Sequence, residues 1–215
     1  GDGIVDLKDV VVLADYLGEE VQDTTLVAHW ALDETEGFVA SDSARENNAF
    51  MSGNGTWHPD EGVVGGAIEL DGVDDCLMTQ PFMDPAEQPF SVLAWVKGGA
   101  AGQTIISQSG ATDWLYIDPV DGTLMSKLSR NSWSATPLAS GVVITDGQWH
   151  RVGFVWDGMT RALYVDEQEV IRDGHPELAS SDRSLAIGCG AMSMAGTYFG
   201  GMIDDVRIYN RVVRP

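Results

Sequence analysis

The chain has 215 residues, of which 44% are hydrophobic, so it can bury the core of one ample domain and is too apolar to be a disordered chain. Its 12 basic and 33 acidic residues leave a formal net charge of -21, which repels phosphate backbones and anionic membranes and argues against nucleic acid as a partner. No apolar run approaches the ~20 residues of a membrane helix, and we expect no membrane insertion.

A short helix is predicted near the start of the chain, within residues 1–20. Its apolar side chains recur at three- and four-residue spacing, as on an amphipathic helix, and they are Leu7, Val10, Val11, Ala14 and Leu17. The polar residues 21–25 are predicted to form a linker to the next domain. Because the chain starts with Gly1 and not with Met, we expect a processed form or a piece of a longer protein.

From residue 26 onward, short runs rich in β-branched and aromatic residues alternate with Gly, Asp, Asn and Pro at turn-like intervals. No helical pattern separates these runs, which favours two antiparallel sheets packed face to face over a parallel β-α-β fold. We therefore predict an all-β, two-sheet antiparallel jelly-roll sandwich for residues 26–215. The predicted strands are 26–32, 67–70, 90–96, 104–107, 114–117, 124–128, 141–144, 149–156, 161–165, 185–187 and 202–209.

The two cysteines, Cys76 and Cys189, lie in strand-like segments, residues 75–78 and 185–189. One disulfide can join them, and each can equally be a small buried hydrophobic side chain. The sequence does not place their Cα atoms relative to each other, so it leaves both alternatives open.

Residues 1–9, with the sequence GDGIVDLKD, match the later two-thirds of an EF-hand calcium loop. With Gly3 as the turn glycine at the sixth loop position, Asp2, Asp6 and Asp9 fall at the fifth, ninth and twelfth positions. The segment resembles a dockerin repeat of secreted bacterial proteins, which implies a calcium site, although the first and third loop positions lie upstream of Gly1. The alternative is an Asp/Gly turn that caps a short helix through Asp6 or Asp9.

Six phrases of the β region resemble the LamG-like, concanavalin A-like jelly-roll family of secreted bacterial proteins, and they occur in the family's order. They are HWALDETEG at 29–37, GGAIELDGVDD at 65–75, FSVLAWVK at 90–97, DGQWHRV at 146–152, LYVD at 163–166 and GMIDDVRIYN at 201–210. The resemblance implies a jelly-roll fold that hosts lectins, adhesion modules, glycosidases and spacers. The chain departs from the family at residues 42–48, where a glycine-rich loop is usual. At residues 165–168, Glu167 stands in place of the usual turn glycine, so we expect a wider or strained turn.

The resemblance also implies a structural calcium ion near the first and last strands. Alternation places Glu34 on the inward face of the first strand and Asp204 on the inward face of the last. A calcium ion with six to eight oxygen ligands is a natural way to hold two buried carboxylates. We predict Glu34, Asp42, Asn48 and Asp204 as its ligands. The alternative is that these acids cap turns or pair with arginines, namely Arg45, Arg207 or Arg211.

Residues 69–74, with the sequence ELDGVD, narrowly miss the Glu-x-Asp-x-Glu signature of retaining laminarinase-type glucanases. Gly72 and Val73 stand where the signature needs its final Glu, and Asp74 falls on the opposite face of the strand. The segment therefore does not supply the two carboxyls, about 5–5.5 Å apart, that a retaining mechanism needs. Neither a His-x-x-x-His pair nor a Gly-x-Ser-x-Gly elbow is present, and we expect no enzyme activity.

Carbohydrate binding is the active function that the residues leave open, because lectins stack sugar rings on exposed aromatic side chains flanked by amides and acids. Trp114, Tyr116 and Trp133 come from loop-flanked middle strands and are the predicted ligand-binding residues. The alternative is that these tryptophans belong to the core, as is expected for most of the seven in the chain.

Together these features predict a non-catalytic, extracellular recognition module that is stabilised by calcium and belongs to a larger secreted or cell-surface protein. Its expected partner is a glycan or a protein outside the cell. Two alternatives stay open, a structural spacer or self-assembling subunit and a glycoside hydrolase of the same fold. The sequence does not identify the ligand or the oligomeric state.

Overall fold

A computed structural model describes residues 23–130 and 136–215. All regular structure within these residues is β, in sixteen strands that form two antiparallel sheets. The predicted two-sheet, all-β sandwich is confirmed. The predicted helix and the rest of residues 1–20 lie outside the described residues. In the described part of the chain, no helix is long and apolar enough to span a membrane.

The first sheet, sheet A, contains the longest strands of the domain. Its members are β1 (Leu26–Trp30), β4 (Thr56–His58), β5 (Ala67–Asp71), β7 (Phe90–Gly98), β12 (Trp149–Trp156), β13 (Thr160–Val165), β14 (Gln168–Gly174) and β16 (Gly200–Tyr209). They lie in the order β14-β13-β12-β7-β16-β5-β4, and β1 pairs with β16 beyond the end of β5. The last strand therefore lies beside the first, as it does in a jelly roll.

The second sheet, sheet B, contains shorter strands. Its members are β2 (Val39–Ala40), β3 (Ala49–Ser52), β6 (Cys76–Met78), β8 (Thr104–Gln108), β9 (Thr112–Ile117), β10 (Thr123–Ser126), β11 (Leu138–Val143) and β15 (Leu185–Ile187). They lie in the order β11-β10-β9-β8-β15-β6-β3-β2.

The inner faces of the two sheets bury one large hydrophobic cluster. Aromatic side chains join the sheets at its centre, because Phe90 of β7 packs on Trp114 of β9 with their ring centroids 5.3 Å apart. Phe90 also packs on Phe154 of β12 at 5.6 Å. Burial of this apolar area is the main term that favours folding.

A β-bulge in β16 changes which side chains face the core. Pairing of β16 with β7 shifts register between Asp204 and Arg207, and Asp205 has a left-handed backbone with a φ of +49°. The apolar residues of β16 in the core cluster are Ile203, Val206 and Ile208. Asp204 was predicted on the inward face of this strand, but its neighbour Ile203 occupies that face, and the bulge returns Val206 and Ile208 to it.

The start of the described chain is fastened to the end of β16. Arg211 donates to the hydroxyl of Thr25 at 2.6 Å and to the carboxylate of Asp23 at 3.1 Å. The N–H of Asn210 donates to the carbonyl of Thr25 at 2.9 Å. Residues 23–25, predicted as the end of a linker, therefore pack against the jelly roll.

Candidate functional site

Strand pairing places a row of side chains across the outer face of sheet B, because residues directly opposite each other in antiparallel strands share a face. In order across the sheet, the row is Val39, Phe50, Met78, Ala186, Ser107 and Asp113. Its first members are apolar, and Phe50 remains 51% exposed. Its last member is an acid, so the face changes from apolar to polar across the sheet.

Residues 188–199 cross this outer face and divide it. A disulfide joins Cys189 to Cys76 of β6, which settles the alternatives that the sequence left open. The hydroxyl of Ser107 donates to the carbonyl of Cys189 at 2.7 Å, and the N–H of Ala191 donates to the carboxylate of Asp113 at 2.9 Å. Backbone hydrogen bonds add to these contacts, because the N–H groups of Gly110 and Thr104 donate to the carbonyls of Ala191 and Thr197 at 2.6 and 3.0 Å. The crossing segment is thus held on the sheet by the disulfide and by several hydrogen bonds.

A groove of ≈ 280 Å³ lies between the crossing segment and the ends of β9 and β10. On its floor, the ammonium of Lys127 is 2.7 Å from the carboxylate of Asp113 and 4.3 Å from the centroid of the Tyr116 ring. Burial, together with the charges of Asp113 and Asp118, raises the pKa of Tyr116 to about 12. Tyr116 is therefore neutral at physiological pH, and the charged groups of the floor are Lys127 and Asp113.

The predicted aromatic ligand-binding residues do not form an exposed platform. Trp114 is fully buried in the core, so the prediction that its ring stacks on a sugar is corrected: the ring packs on Phe90 of the opposite sheet. Tyr116 is 5% exposed, and its ring is covered by the ammonium of Lys127. The ring therefore contacts Lys127 and is not available to stack on a sugar. Trp133 lies outside the described residues.

Asp204 is a buried carboxylate with one satisfied and one unsatisfied oxygen. Its Oδ2 accepts the N–H groups of Val63 and Val64 at 2.6 and 2.9 Å, whereas its Oδ1 is buried without a partner. Burial raises the pKa of Asp204 to about 6, although the two hydrogen bonds lower it, and the charges of Asp205 and Asp33 raise it further. A cation beside Oδ1 would offset this cost of ionisation.

Glu34 has the same asymmetry. Its Oε1 accepts the N–H of Ser41 at 2.7 Å, and its Oε2 is buried without a partner. The neighbouring Asp33 accepts the N–H of Gly66 and contributes to the field at Asp204. Two of the four predicted calcium ligands therefore each have one buried carboxylate oxygen with no hydrogen bond, which is the kind of oxygen that a hard cation binds.

The other two predicted calcium ligands are engaged in the loop of residues 42–48. Oδ1 of Asp42 accepts the N–H groups of His29 and Ala44, and its Oδ2 accepts the backbone and side-chain N–H groups of Asn47. Four donors fill the lone-pair positions of the carboxylate, so the structure argues against Asp42 as a metal ligand. The side-chain oxygen of Asn48 accepts the N–H of Asp42 at 2.9 Å.

The predicted alternative pairings with arginine do not form either. Within the described residues, Arg207 pairs with Asp205 and Arg211 with Asp23, and Arg45 donates to the carbonyl of Thr24. Asp2, Asp6 and Asp9, the predicted ligands of the N-terminal loop, lie outside the described residues.

One group of three acidic side chains within residues 23–130 and 136–215 brings oxygens within 4.8 Å of one another, namely Asp71, Asp74 and Asp75. Asp75 accepts the N–H groups of Asn54 at 2.6 Å and Asp71 at 3.0 Å. Asp71 accepts the N–H of Val73 at 2.8 Å, and such backbone hydrogen bonds lower its pKa. The bonds within residues 71–75 are those of a turn, and the bond from Asn54 joins this turn to the segment before β4. A lowered pKa does not suit the acid of a glycosidase.

His150 of β12 has a hydrogen-bond partner at each ring nitrogen. Its two ring nitrogens contact Asp166 at 2.8 Å and Asp146 at 3.0 Å. Partial burial lowers the pKa of His150, but hydrogen bonds and charge from the two aspartates outweigh it, so that the pKa is raised.

The chain was compared with models of known protein families. A family model described as the concanavalin A-like lectin/glucanases superfamily matches residues 71–215, which is more than half of the chain. The chain belongs to this superfamily. The predicted LamG-like, concanavalin A-like family is therefore confirmed for the jelly roll, whereas the dockerin-like repeat stays a prediction. No curated protein matches the chain.

Solved structures with the superfamily's jelly roll include modules of an enzyme and of toxins. Domain 4 of AbnA, an extracellular GH43 arabinanase from Geobacillus stearothermophilus, in complex with arabinotriose, is 21% identical, with a TM-score of 0.64 over 87% of this chain and 93% of that one. The binding domain of Paraclostridial Mosquitocidal Protein 1 is 10% identical, with a TM-score of 0.72 over 88% of this chain. The binding domain of botulinum neurotoxin DC in complex with SialylT is 12% identical, with a TM-score of 0.65 over 90% of this chain. The chain spans about half of each toxin domain, 49% in both cases. These likenesses show the fold.

For this member of the superfamily, sequence reasoning missed Lys127 as a groove residue. Lys127 follows β10 directly, and its N–H donates to the carbonyl of Asp113 at 3.1 Å. An acid and a lysine at the ends of two neighbouring predicted strands are a signal that can be read from the sequence. Phe50 carries no such signal, because the short strand that holds it was not predicted.

Proposed function

We propose that the chain is a non-catalytic recognition module of a larger extracellular protein, and that it binds a glycan in the groove on the outer face of sheet B. The observation that carries this proposal is the ion pair of Lys127 and Asp113 on the floor of that groove, beneath a segment tethered by a disulfide. A rigid frame around a few charged hydrogen-bonding groups is what binding sites for small polar ligands require.

The chemistry of the groove matches that of a sugar ring. Sugars present hydroxyls at their edges and C–H groups on their faces. Lys127 donates hydrogen bonds, and Asp113 accepts them. Met192 and Met194, which are 65% and 59% exposed at the rim, offer adaptable apolar contacts to the C–H faces.

The similar structures support a glycan as the ligand class. Domain 4 of the arabinanase aligns over nearly its whole length and was solved with arabinotriose. The botulinum neurotoxin binding domain was solved with SialylT. One is a domain of a larger enzyme and the other is the binding domain of a toxin, and a domain within a larger protein is the architecture that we propose for the present chain.

Calcium binding, an extracellular location and the lack of catalysis belong to the same proposal. The unpartnered oxygens of Glu34 and Asp204 support calcium, and the disulfide supports an oxidising compartment. The turn hydrogen bonds of Asp71 and Asp75 support a module without a glycosidase carboxylate pair in that segment.

A glycan array, probed with and without a calcium chelator, tests the proposed function and identifies the ligand. Affinity electrophoresis in the polysaccharide that is found then compares three variants. Lys127→Ala and Asp113→Asn are expected to weaken retention about tenfold, because each removes a charged hydrogen-bonding group. Lys97→Ala, on β7 of the opposite sheet, is the matched control and is expected to retain full affinity.

Two results would count against the proposal in different ways. If Lys127→Ala and Asp113→Asn are both retained like the wild type, the glycan binds elsewhere on the domain and not in this groove. Failure of the full chain to bind any glycan on the array would reject the glycan class and leave a protein ligand, a spacer or self-assembly as the function.

A further inference from the structure

A second cavity, of ≈ 320 Å³, lies at one end of sheet B. It is bounded by the turn between β8 and β9 on one side and by residues 179–183 on the other. Residues 110–112 also line the groove that contains Lys127 and Asp113, hereafter the Lys127 groove, so the two spaces adjoin at this turn. The volume of the second cavity is near the lower end of the about 300–1,000 Å³ of small-molecule sites, which suits one sugar ring better than a long oligosaccharide.

Three residues that line this cavity each have a buried oxygen without a hydrogen-bond partner. They are Oε1 of Gln108, Oγ1 of Thr112 and Oγ of Ser181. Gln108 and Thr112 are buried residues, 1% and 8% exposed. Most buried polar groups in proteins are hydrogen-bonded, so unpartnered oxygens on three residues that line one cavity make it a candidate site for a polar ligand.

The orientation of the Gln108 amide is fixed by its surroundings. Its Nε2 lies 3.3, 3.1 and 3.1 Å from the carbonyls of Met83, Ser181 and Arg183. A flipped amide would set its own oxygen against three carbonyl oxygens, so Nε2 must face them. Oε1 of Gln108 is therefore fixed as a hydrogen-bond acceptor, and it has no donor within the described residues.

The opposite wall of the cavity is held in place by Asp84. Its carboxylate accepts the hydroxyl of Ser180 and, at 3.1 Å, the N–H of Ser181, and it also accepts the N–H of Ala86 at 2.9 Å. Although burial raises the pKa of Asp84, these hydrogen bonds outweigh it and lower the pKa. Asp84 thus remains charged and positions the backbone of Ser181, while its oxygens are engaged outside the cavity.

The chemical character of the three oxygens selects the class of ligand. An amide and two hydroxyls carry no net charge, and a divalent cation in a protein usually takes carboxylate ligands as well. Neutral oxygens, one of them an obligate acceptor, instead complement the hydroxyls of a neutral polyol. Asp182 and Arg183 are exposed at the cavity rim, so a ligand can reach the cavity from solvent.

We infer that Gln108, Thr112 and Ser181 form a subsite for the hydroxyls of one neutral sugar ring. This inference deepens the proposed function and rests on it, because the subsite adjoins the Lys127 groove and would read a neighbouring ring of the same glycan. Gln108 accepts a hydrogen bond from one hydroxyl, and Thr112 and Ser181 donate to or accept from its neighbours.

The test titrates the full, ¹⁵N-labelled chain with four neutral monosaccharides, namely arabinose, galactose, glucose and N-acetylglucosamine, and follows backbone amide shifts. At least one sugar is expected to shift the amides of residues 108–112 and 179–183. Thr112→Val and Ser181→Ala are each expected to raise the Kd for that sugar about three- to tenfold, as loss of one hydrogen bond requires. Thr56→Val, on edge strand β4 of the opposite sheet, is the matched control and is expected to leave the Kd unchanged. Gln108 is left intact because its amide holds three carbonyls.

The possible results separate this subsite from the proposed function. Sugar-induced shifts at residues 108–112 and 179–183 that persist in Lys127→Ala would support the subsite even where that variant loses polysaccharide retention. Polysaccharide retention with no shifts in these residues from any of the four sugars would overturn the subsite and leave the proposed function standing. A Kd for the sugar that stays at the wild-type value in both Thr112→Val and Ser181→Ala would also overturn the subsite.

Discussion

At the scale of single residues, the turn between β13 and β14 shows where the chain stores local strain. Asp166 and Glu167 alone connect the paired residues Val165 and Gln168, so the turn is strained and not widened. Both turn residues have a left-handed backbone, with φ of +49° and +63°. Asp tolerates this conformation better than Glu, and Asp166 accepts the N–H of Arg151 at 3.0 Å.

Glu167→Gly is expected to stabilise the protein by about 0.5–1 kcal/mol, because glycine adopts a positive φ without a steric cost. Glu167 makes a 3.7 Å ion pair with Arg151, but an exposed pair of this length contributes little. The urea midpoint of unfolding measures the gain. Gln168→Gly is the matched control: it lies next to Glu167 at the start of β14, and its φ is not positive, so the same change there is expected to destabilise. Equal effects at the two positions would contradict the assignment of strain to Glu167.

Residue patterns predict some buried side chains well and others poorly. Trp30 and Phe154 lie in two of the predicted strands, 26–32 and 149–156, and both are fully buried in the core. Trp114 was proposed as an exposed sugar platform, yet it faces the opposite sheet. The reason lies in the pairing of β8 with β9, whose register shifts on both sides of Ile106. A register shift depends on the partner strand, and a single strand's sequence does not contain it.

At the scale of elements, the long strands were predictable and the edge strands were not. The eleven predicted strands all occur, with ends that move by a few residues. The strands β2, β3, β4 and β14 were missed, and β6 lies within residues 75–78, which were described as strand-like around Cys76. Of the missed strands, the first three are only two to four residues long. The last of them, β14, has mostly exposed polar side chains because it forms the edge of sheet A, where charged residues guard against pairing with other chains.

The crossing segment of residues 188–199 depends on the Cys76–Cys189 disulfide. The bridge closes a loop with a sequence separation of 113 residues, which restricts the unfolded chain strongly. Cys76→Ser with Cys189→Ser is therefore expected to lower the free energy of unfolding by about 2–4 kcal/mol. The melting temperature should fall by roughly 5–15 °C for a chain of this size. Scanning calorimetry measures the change.

Reduction provides the control for this double variant. A reducing agent is expected to lower the melting temperature of the wild-type protein toward that of the variant and to leave the variant unchanged. Wild-type stability that is insensitive to both reduction and substitution would show that the hydrogen bonds of the crossing segment, among them those to Ser107 and Asp113, hold it without the disulfide.

At the scale of the whole molecule, acidic residues greatly outnumber basic ones, and a few of them are deeply buried. Glu34 and Asp204, both predicted from sequence as calcium ligands, each have one buried carboxylate oxygen without a hydrogen bond, and their role as ligands stays a prediction. The family phrases could not reveal that Asp42 is saturated by four N–H donors, because those donors come from the folded loop and from β1. The overall fold was thus predictable from sequence, whereas the distribution of free lone pairs required the three-dimensional structure.

Calcium removal tests the proposed role of these carboxylates in the stability of the whole domain. Calcium at 100 times its Kd is expected to stabilise the folded state by about 2.7 kcal/mol, so a chelator should lower the melting temperature by roughly 5–10 °C. Glu34→Gln and Asp204→Asn are expected to abolish this response, because each removes a charged ligand. Glu36→Gln, an exposed acid two residues from Glu34, is the matched control. Asp6→Asn separates any contribution of the N-terminal loop.

The pH dependence of the metal-free protein gives this prediction a second readout. The pKa of Asp204 in the folded state is raised to about 6 from an ordinary 3.8, so between these values the folded state binds more protons than the unfolded state. The free energy of unfolding contributed by Asp204 must then fall as pH rises from about 4 to about 6. Calcium should oppose the fall because it favours the ionised carboxylate. In chelator, Asp204→Asn is expected to remove this component of the slope, and a slope identical to that of the wild type would mean that Asp204 ionises freely and needs no cation.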